Sequence, residues 1–152
     1  MSDTQRMFPL TFRVRRKKGL SEEEFHRYWA NEHRILCQNW LTKYGIVKYT
    51  QYHTPSNQEA VVHTGFPGLK NVPKIDHDGS ADFIMPDISC CYHARQDPFY
   101  LTTVLPDDNK LFDWDSAVYN IGWEESYIKD NKVVELPDGN DFAVERTRST
   151  QS

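Results

Sequence analysis

Six histidines punctuate the chain, at positions 26, 33, 53, 63, 77 and 93. An imidazole titrates near neutrality, so a histidine held in a cavity can pass protons at ordinary pH. His33 lies in "SEEEFHRYWANEHRIL", residues 21–36, one helical turn beyond Trp29 and two beyond Phe25. On a helix that spacing puts it at the edge of an apolar, aromatic face. His53 closes "IVKYTQYH", residues 46–53, on the same strand face as Val47, Tyr49 and Gln51. A tyrosine hydroxyl beside them can donate to a developing anion, and ring walls exclude water. The chemistry open to such a set is general acid–base catalysis. His33, His53 and Tyr49 are therefore the candidate catalytic residues. Phe25, Trp29, Tyr52 and Phe83 are candidate substrate contacts. His77, in "DHDG", joins them, because Asp76 and Asp78 beside it could orient its ring. His26, His63 and His93 read as surface or loop residues.

Other chemistries lack their residues. No HExxH or CxxC array and no His–Cys pair at zinc spacing is present, so no metal is expected. No glycine-rich phosphate loop and no GxSxG elbow appears, so no cofactor is expected. Cys37, Cys90 and Cys91 are odd in number, and two are adjacent. That pattern suits a reduced, cytoplasmic protein with buried thiols rather than a disulfide scaffold. Eighteen basic against 22 acidic residues give a net charge of −4, which disfavours a nucleic-acid binder. The basic cluster "RVRRKK", residues 13–18, reads as the solvated end of a strand and a turn. No run of about 18 apolar residues spans a membrane, and the first ten residues carry no signal-peptide core.

The elements that would position these side chains follow from periodicity. Residues 8–15 alternate, with Leu10, Phe12 and Val14 on one face, and predict a strand. Ser21 with Glu24 three residues on reads as a capping box, and Glu22 to Glu24 suit the helix dipole. The helix is expected to run to about residue 40 with Phe25, Trp29 and Leu36 near one face. Residues 46–53 form a second strand whose two faces both carry large side chains. Residues 54–80 are a Pro- and Gly-rich connection, with a second capping-box pattern at Ser56 and Glu59 and a short helix from Asn57. A strand at 80–85 and a helix at 86–96 follow, the helix turning Ile88, Cys91 and Tyr92 inward. Residues 97–113 read as a loop or broken helix, and 116–129 as a fourth strand bent at Gly122. The length suits one domain, here residues 1–135, with a partly disordered C-terminal extension at 136–152. The order β-α-β, connection, β-α-β predicts an α+β, ferredoxin-like fold: a four-stranded antiparallel sheet and two main helices.

The stretch "FRVRRKKGLSEEEFHRYWANEH" resembles the opening of EthD-domain proteins. "IDHDGSADF" followed by "DPFY" and "DNKLFDWDSA" resembles the second half of the same family, so the likeness covers roughly residues 8–130. It implies a homodimeric α/β barrel in which two protomers press their sheets together, each keeping a pocket between sheet and helices. Within the family the chain looks most like fungal polyketide-tailoring proteins of anthraquinone-type pathways. Those are decarboxylases of polycyclic aromatic carboxylic acids such as atrochrysone carboxylic acid. The implied reaction loses CO₂ through an enol-like state, with His33 delivering the proton and His53 and a tyrosine assisting. A polyketide cyclase or dehydratase, a cofactor-free anthrone oxygenase and a non-catalytic binding protein remain alternatives on the same fold.

Overall fold

A computed structural model of the protein describes residues 6–135; the expected C-terminal extension, 136–152, lies outside the described residues. Strand β1, Phe8–Arg16, turns Leu10 and Val14 into the core. Helix α1, Glu22–Tyr28, starts where the Ser21 hydroxyl accepts the Glu24 amide at 3.1 Å. The reciprocal half of the box is not made, because the Glu24 carboxylate takes the Arg27 guanidinium instead, at 2.6 and 2.9 Å. A π-helical turn, Trp29–His33, then leads into α2, Arg34–Lys43. The wider turn shifts the buried face by one residue. Phe25, Trp29, His33, Cys37, Trp40 and Leu41 point inward, and Leu36, expected on that face, is only half-buried.

Strand β2, Lys48–His53, is followed by a connection that holds α3, Gln58–Gly65, and a 3₁₀ turn, Pro67–Asn71. Ser56 does not cap α3. Its amide and hydroxyl both donate to Glu22, and Asn57 stands at the N-cap without a side-chain bond. The connection is tied back at its far end, where Arg15 pairs with Asp76 at 2.5 Å and Arg16 with Asp78 at 2.6 Å. Part of the basic cluster is thus a clamp rather than a solvated turn.

Strand β3, Gly79–Met85, leads to α4, Ser89–Arg95, whose first amide is held by Asp87 at 2.8 Å. At α4, Ile88 and Tyr92 are not inward: they are 46% and 63% exposed, and Ala94 and Cys91 take the core side. Of the two forms expected for the stretch at residues 97–113, loop or broken helix, the second is found. It forms a second π turn, Tyr100–Val104, and α5, Leu105–Leu111. Strand β4 begins earlier than expected and ends sooner, Phe112–Ile121. The apolar alternation beyond Gly122 belongs to a separate hairpin of β5, Ile128–Lys129, and β6, Lys132–Val133. Asp130 and Asn131, at φ 53° and 62°, make its turn, as a two-residue hairpin requires.

The main sheet has the order β2-β3-β1-β4 and is antiparallel throughout, with a register irregularity between Arg13 and Arg15 against β4. This is the ferredoxin-like α+β arrangement expected. Two buried clusters sit between sheet and helices. One gathers Leu10, Cys37, Trp40, Leu41, Ile46, Met85, Ala94, Tyr100 and Val104. The other holds Val14, Phe25, Trp29, Leu111 and Phe112. The opposite sheet face is mixed: Thr11 donates to Asp82 there at 2.8 Å, and Tyr52 is 64% exposed. Among the described residues no helix is long and apolar enough to cross a membrane.

Candidate active site

Between the two clusters the packing opens into a cavity of about 100 Å³. Members of both clusters wall it, with Phe12, Ala81 and Phe83 of the sheet as its floor. The two π turns face it with Trp29 and His33 on one side and Tyr100 and Val104 on the other. Such turns re-aim side chains and recur at functional sites. Here the first is braced by Gln51, which donates to the Trp29 carbonyl at 3.0 Å.

His33 is 3% exposed and is held at both ring nitrogens. Nδ1 lies 2.6 Å from Asp107 Oδ2, and Nε2 lies 3.1 Å from Asp108 Oδ1. Only the imidazolium carries two N–H donors, so two carboxylate acceptors select the charged ring. Burial alone would depress the histidine. The bond to Asp108, then Cys37 and Asp107, outweigh it and lift the ring to about 10. Burial in turn pushes the Asp108 carboxyl above the ordinary range, against the pull of His33. Asp107 is fixed from its other side by the Tyr28 hydroxyl at 2.5 Å, a bond that raises Tyr28 to about 12. Cys37 Sγ completes the ring's surroundings, 3.3 Å from Nε2.

Both carboxylates stand in the first turn of α5, just after Pro106. Proline inside a helix start and acids in the first turn suit the positive end of the helix dipole. His33 and Asp108 line the cavity, while Asp107 lies behind them. The arrangement is a proton held between a ring and a carboxylate at the wall of an aromatic chamber, with a second carboxylate orienting the ring.

The sequence-predicted residues divide. His33, Tyr49, Trp29 and Phe83 line the cavity together. The Tyr49 oxygen accepts from Gln51 Nε2 at 3.0 Å, and burial raises its hydroxyl. Phe25 does not reach the cavity: it is fully buried behind Trp29, ring centroids 5.4 Å apart. His53 is also screened from it by Trp29, at 4.6 Å between centroids. Its Nδ1 meets Nδ1 of His26 at 2.7 Å, so His26 is half-buried and partnered rather than a loose surface residue. Tyr52 projects from the far face of the sheet, because β2 alternates. His77 sits at the end of the connection, away from the cavity, and its flanking aspartates are engaged with Arg15 and Arg16 instead of its ring. Asp107, Asp108, Trp40, Arg95, Tyr100 and Trp114 were missed. The one local signal for the acids was "PDD", a helix-start pattern inside a stretch read as irregular.

The EthD domain model matches residues 17–115. The chain belongs to the EthD-domain family. Relatives of this EthD protein include a decarboxylase, claH, of Passalora fulva. It is 30% identical over 127 residues, covering 83% of this chain and 81% of that one. A dehydratase, aurZ, of Gibberella zeae is 29% identical over 126 residues, 82% of each chain. Among solved structures, an EthD family protein of Bacillus halodurans matches with a TM-score of 0.52 at 14% identity. The match covers 79% of this chain and 99% of that one. These relatives are thus a decarboxylase and a dehydratase, and the fold is that of the solved EthD family protein.

Proposed function

We propose that this EthD-domain protein is a lyase that removes CO₂ from a polycyclic aromatic polyketide acid by acid–base catalysis at His33 and Asp108. The observation that carries the reading is the histidine ring set between two buried carboxylates on the wall of an aromatic cavity. In a β-keto acid the bond to the carboxylate breaks, its electron pair moves into the neighbouring carbonyl to make an enolate, and CO₂ leaves. The proton shared by His33 Nε2 and Asp108 Oδ1 then goes to the carbon, and solvent restores it. Tyr49, whose oxygen already accepts from Gln51, has its own proton free to donate to the enolate oxygen. Trp29, Phe83 and Phe12 supply flat walls that exclude water.

Dehydration is the second reading. It needs a base to take an α-proton and an acid to protonate the departing hydroxide. The same site offers a carboxylate beside a protonated ring. In the family's barrel arrangement two such protomers pair through the sheet face opposite the cavity, and we extend that homodimer to this chain.

Product mass decides between the two. Purified protein is incubated with a polycyclic β-keto carboxylic acid in the presence of EDTA, alongside Asp108→Asn and His33→Gln variants. A product lighter by CO₂, formed faster than without protein and at least about a hundredfold slower with either variant, is expected. Loss of water instead of CO₂ moves the assignment to dehydration. Turnover unchanged in both variants rules out the acid–base pair.

A further inference from the structure

The cavity is bordered by one solvent-exposed cation that the proton chemistry does not use. Arg95, at the end of α4, lines it and is the only lysine or arginine among the described residues to do so. Its neighbours in the chain are built to aim it. Trp40 Nε1 donates to the carbonyl of Ala94 at 2.7 Å, which fixes the backbone just before it. Trp40 also stacks on Tyr100, centroids 5.1 Å apart and planes 18° from parallel. The Arg95 guanidinium lies 5.4 Å from the Tyr100 ring centroid and donates to the Tyr100 hydroxyl at 3.0 Å. One donor of five is spent there.

What Arg95 lacks is an anion. Arg15, Arg16 and Arg27 each meet a carboxylate within 3.0 Å, and Arg13 and Arg34, for which no ion pair is seen either among the described residues, do not line the cavity. No ion pair joins Arg95 to any carboxylate among the described residues. Asp108, across the cavity, feels its charge only at a distance. A guanidinium tethered to the Tyr100 hydroxyl at the border of an aromatic cavity, with donors left over, matches two oxygens side by side on the edge of a flat molecule.

We infer that Arg95 is the anion anchor of the cavity: it binds the ionised oxygen pair of a planar polycyclic substrate and selects the charged form over the neutral one. Two groups supply that oxygen pair. One is a carboxylate. The other is an ionised hydroxyl beside a ring carbonyl, as in a hydroxyanthraquinone. The inference rests on the aromatic-substrate reading above, but it concerns binding and is measured without turnover.

The test is quenching of tryptophan fluorescence, since Trp29, Trp40 and Trp114 wall the cavity. Three probes are titrated: anthraquinone-2-carboxylate, its methyl ester, and 1,8-dihydroxyanthraquinone above the pH of its first ionisation. Each is measured against wild type, Arg95→Gln and Arg95→Lys. The expected result is that Arg95→Gln weakens at least one anionic probe by about tenfold while the ester is unaffected. Arg95→Lys should recover only part of the loss, because the charge returns without the fork. Loss confined to the carboxylate names that group as the anchored one, and loss confined to the hydroxyanthraquinone names the other. Equal weakening of ester and anions, or no weakening of either anion, overturns the assignment. An anion preference that depends on Arg95 in a protein that releases neither CO₂ nor water would leave the anchor standing and the lyase reading wrong.

Discussion

Replacing Asp108 with asparagine should bring the buried histidine back toward its ordinary titration. Burial depresses His33, but the bond to Asp108, with Cys37 and Asp107, outweighs it and moves the ring from 6.5 to about 10. At about 1.4 kcal/mol per pH unit the full shift is worth about 5 kcal/mol. The ring is 3% exposed, so solvent screens little of it. A histidine raised on folding contributes stability that is complete below about pH 6.5. That stability is lost as pH rises through about 10. Wild type should therefore lose stability steadily from about pH 7 to about pH 10. The asparagine side chain keeps an oxygen acceptor and the shape but removes the charge. The His33 midpoint should fall by more than about one unit, and the alkaline loss should shrink and end at a lower pH. Ring NMR resonances followed across pH give the midpoint, and urea unfolding at the same pH values gives the stability. A wild-type ring that titrates near its free value, or a midpoint unmoved in Asp108→Asn, would refute the idea that the carboxylate clamp holds the charge.

Two further outcomes test the frame around the site. A methyl group at Gly79 would meet the Trp29 ring at 2.5 Å and the Tyr52 carbonyl at 3.0 Å. Gly79→Ala should therefore cost about 1–3 kcal/mol in thermal or urea unfolding. It should also shift tryptophan emission, and an unchanged melting temperature would mean that Trp29 is not the rigid wall described. Light scattering on a size-exclusion column should give about twice the 17.9 kDa chain mass, and a stable monomer would sink the barrel pairing.

The sheet was legible in the sequence because its signals are local. Alternation in residues 8–15 and 46–53 needs no knowledge of partners, and Ser21 marks a helix start by its own hydroxyl. The expectations that failed depended on geometry the pattern does not carry. A π turn adds a residue to one coil of the helix, so Leu36 yields its place to Cys37, although nothing in "WANEH" announces the wider turn. Alternation runs on past Gly122 without revealing that β4 stops at Ile121 and a hairpin begins. His53 shared a strand face with Tyr49 as expected. It still failed to reach the cavity, because Trp29 is large enough to stand between them. Half of the site was thus readable from one helix. The other half, Asp107, Asp108 and Arg95, comes from residues far along the chain that join His33 only in space.

The placement of those acids is itself an argument for chemistry. Asp107 and Asp108 are 5% and 9% exposed, and His33 lies between them. Taking such charges out of water costs several kcal/mol per ion, and well-packed apolar residues of similar size commonly do as well or better for stability. The α5 dipole and the Tyr28 hydroxyl offset part of that cost. A core here needs no ions all the same: the neighbouring clusters are built of rings and aliphatic chains. The departures from local economy gather at one place. Two π turns and the His33–Asp108 pair border the same cavity, Asp107 stands behind that pair, and a glycine is pressed against Trp29, one of the walls. Proteins break such rules where function requires it. A triad serving only to hold helices together would tolerate replacement by apolar side chains without loss of turnover. If the acids are there to move protons, replacing His33, Asp107 and Asp108 together by apolar side chains should leave the fold standing and the reaction gone.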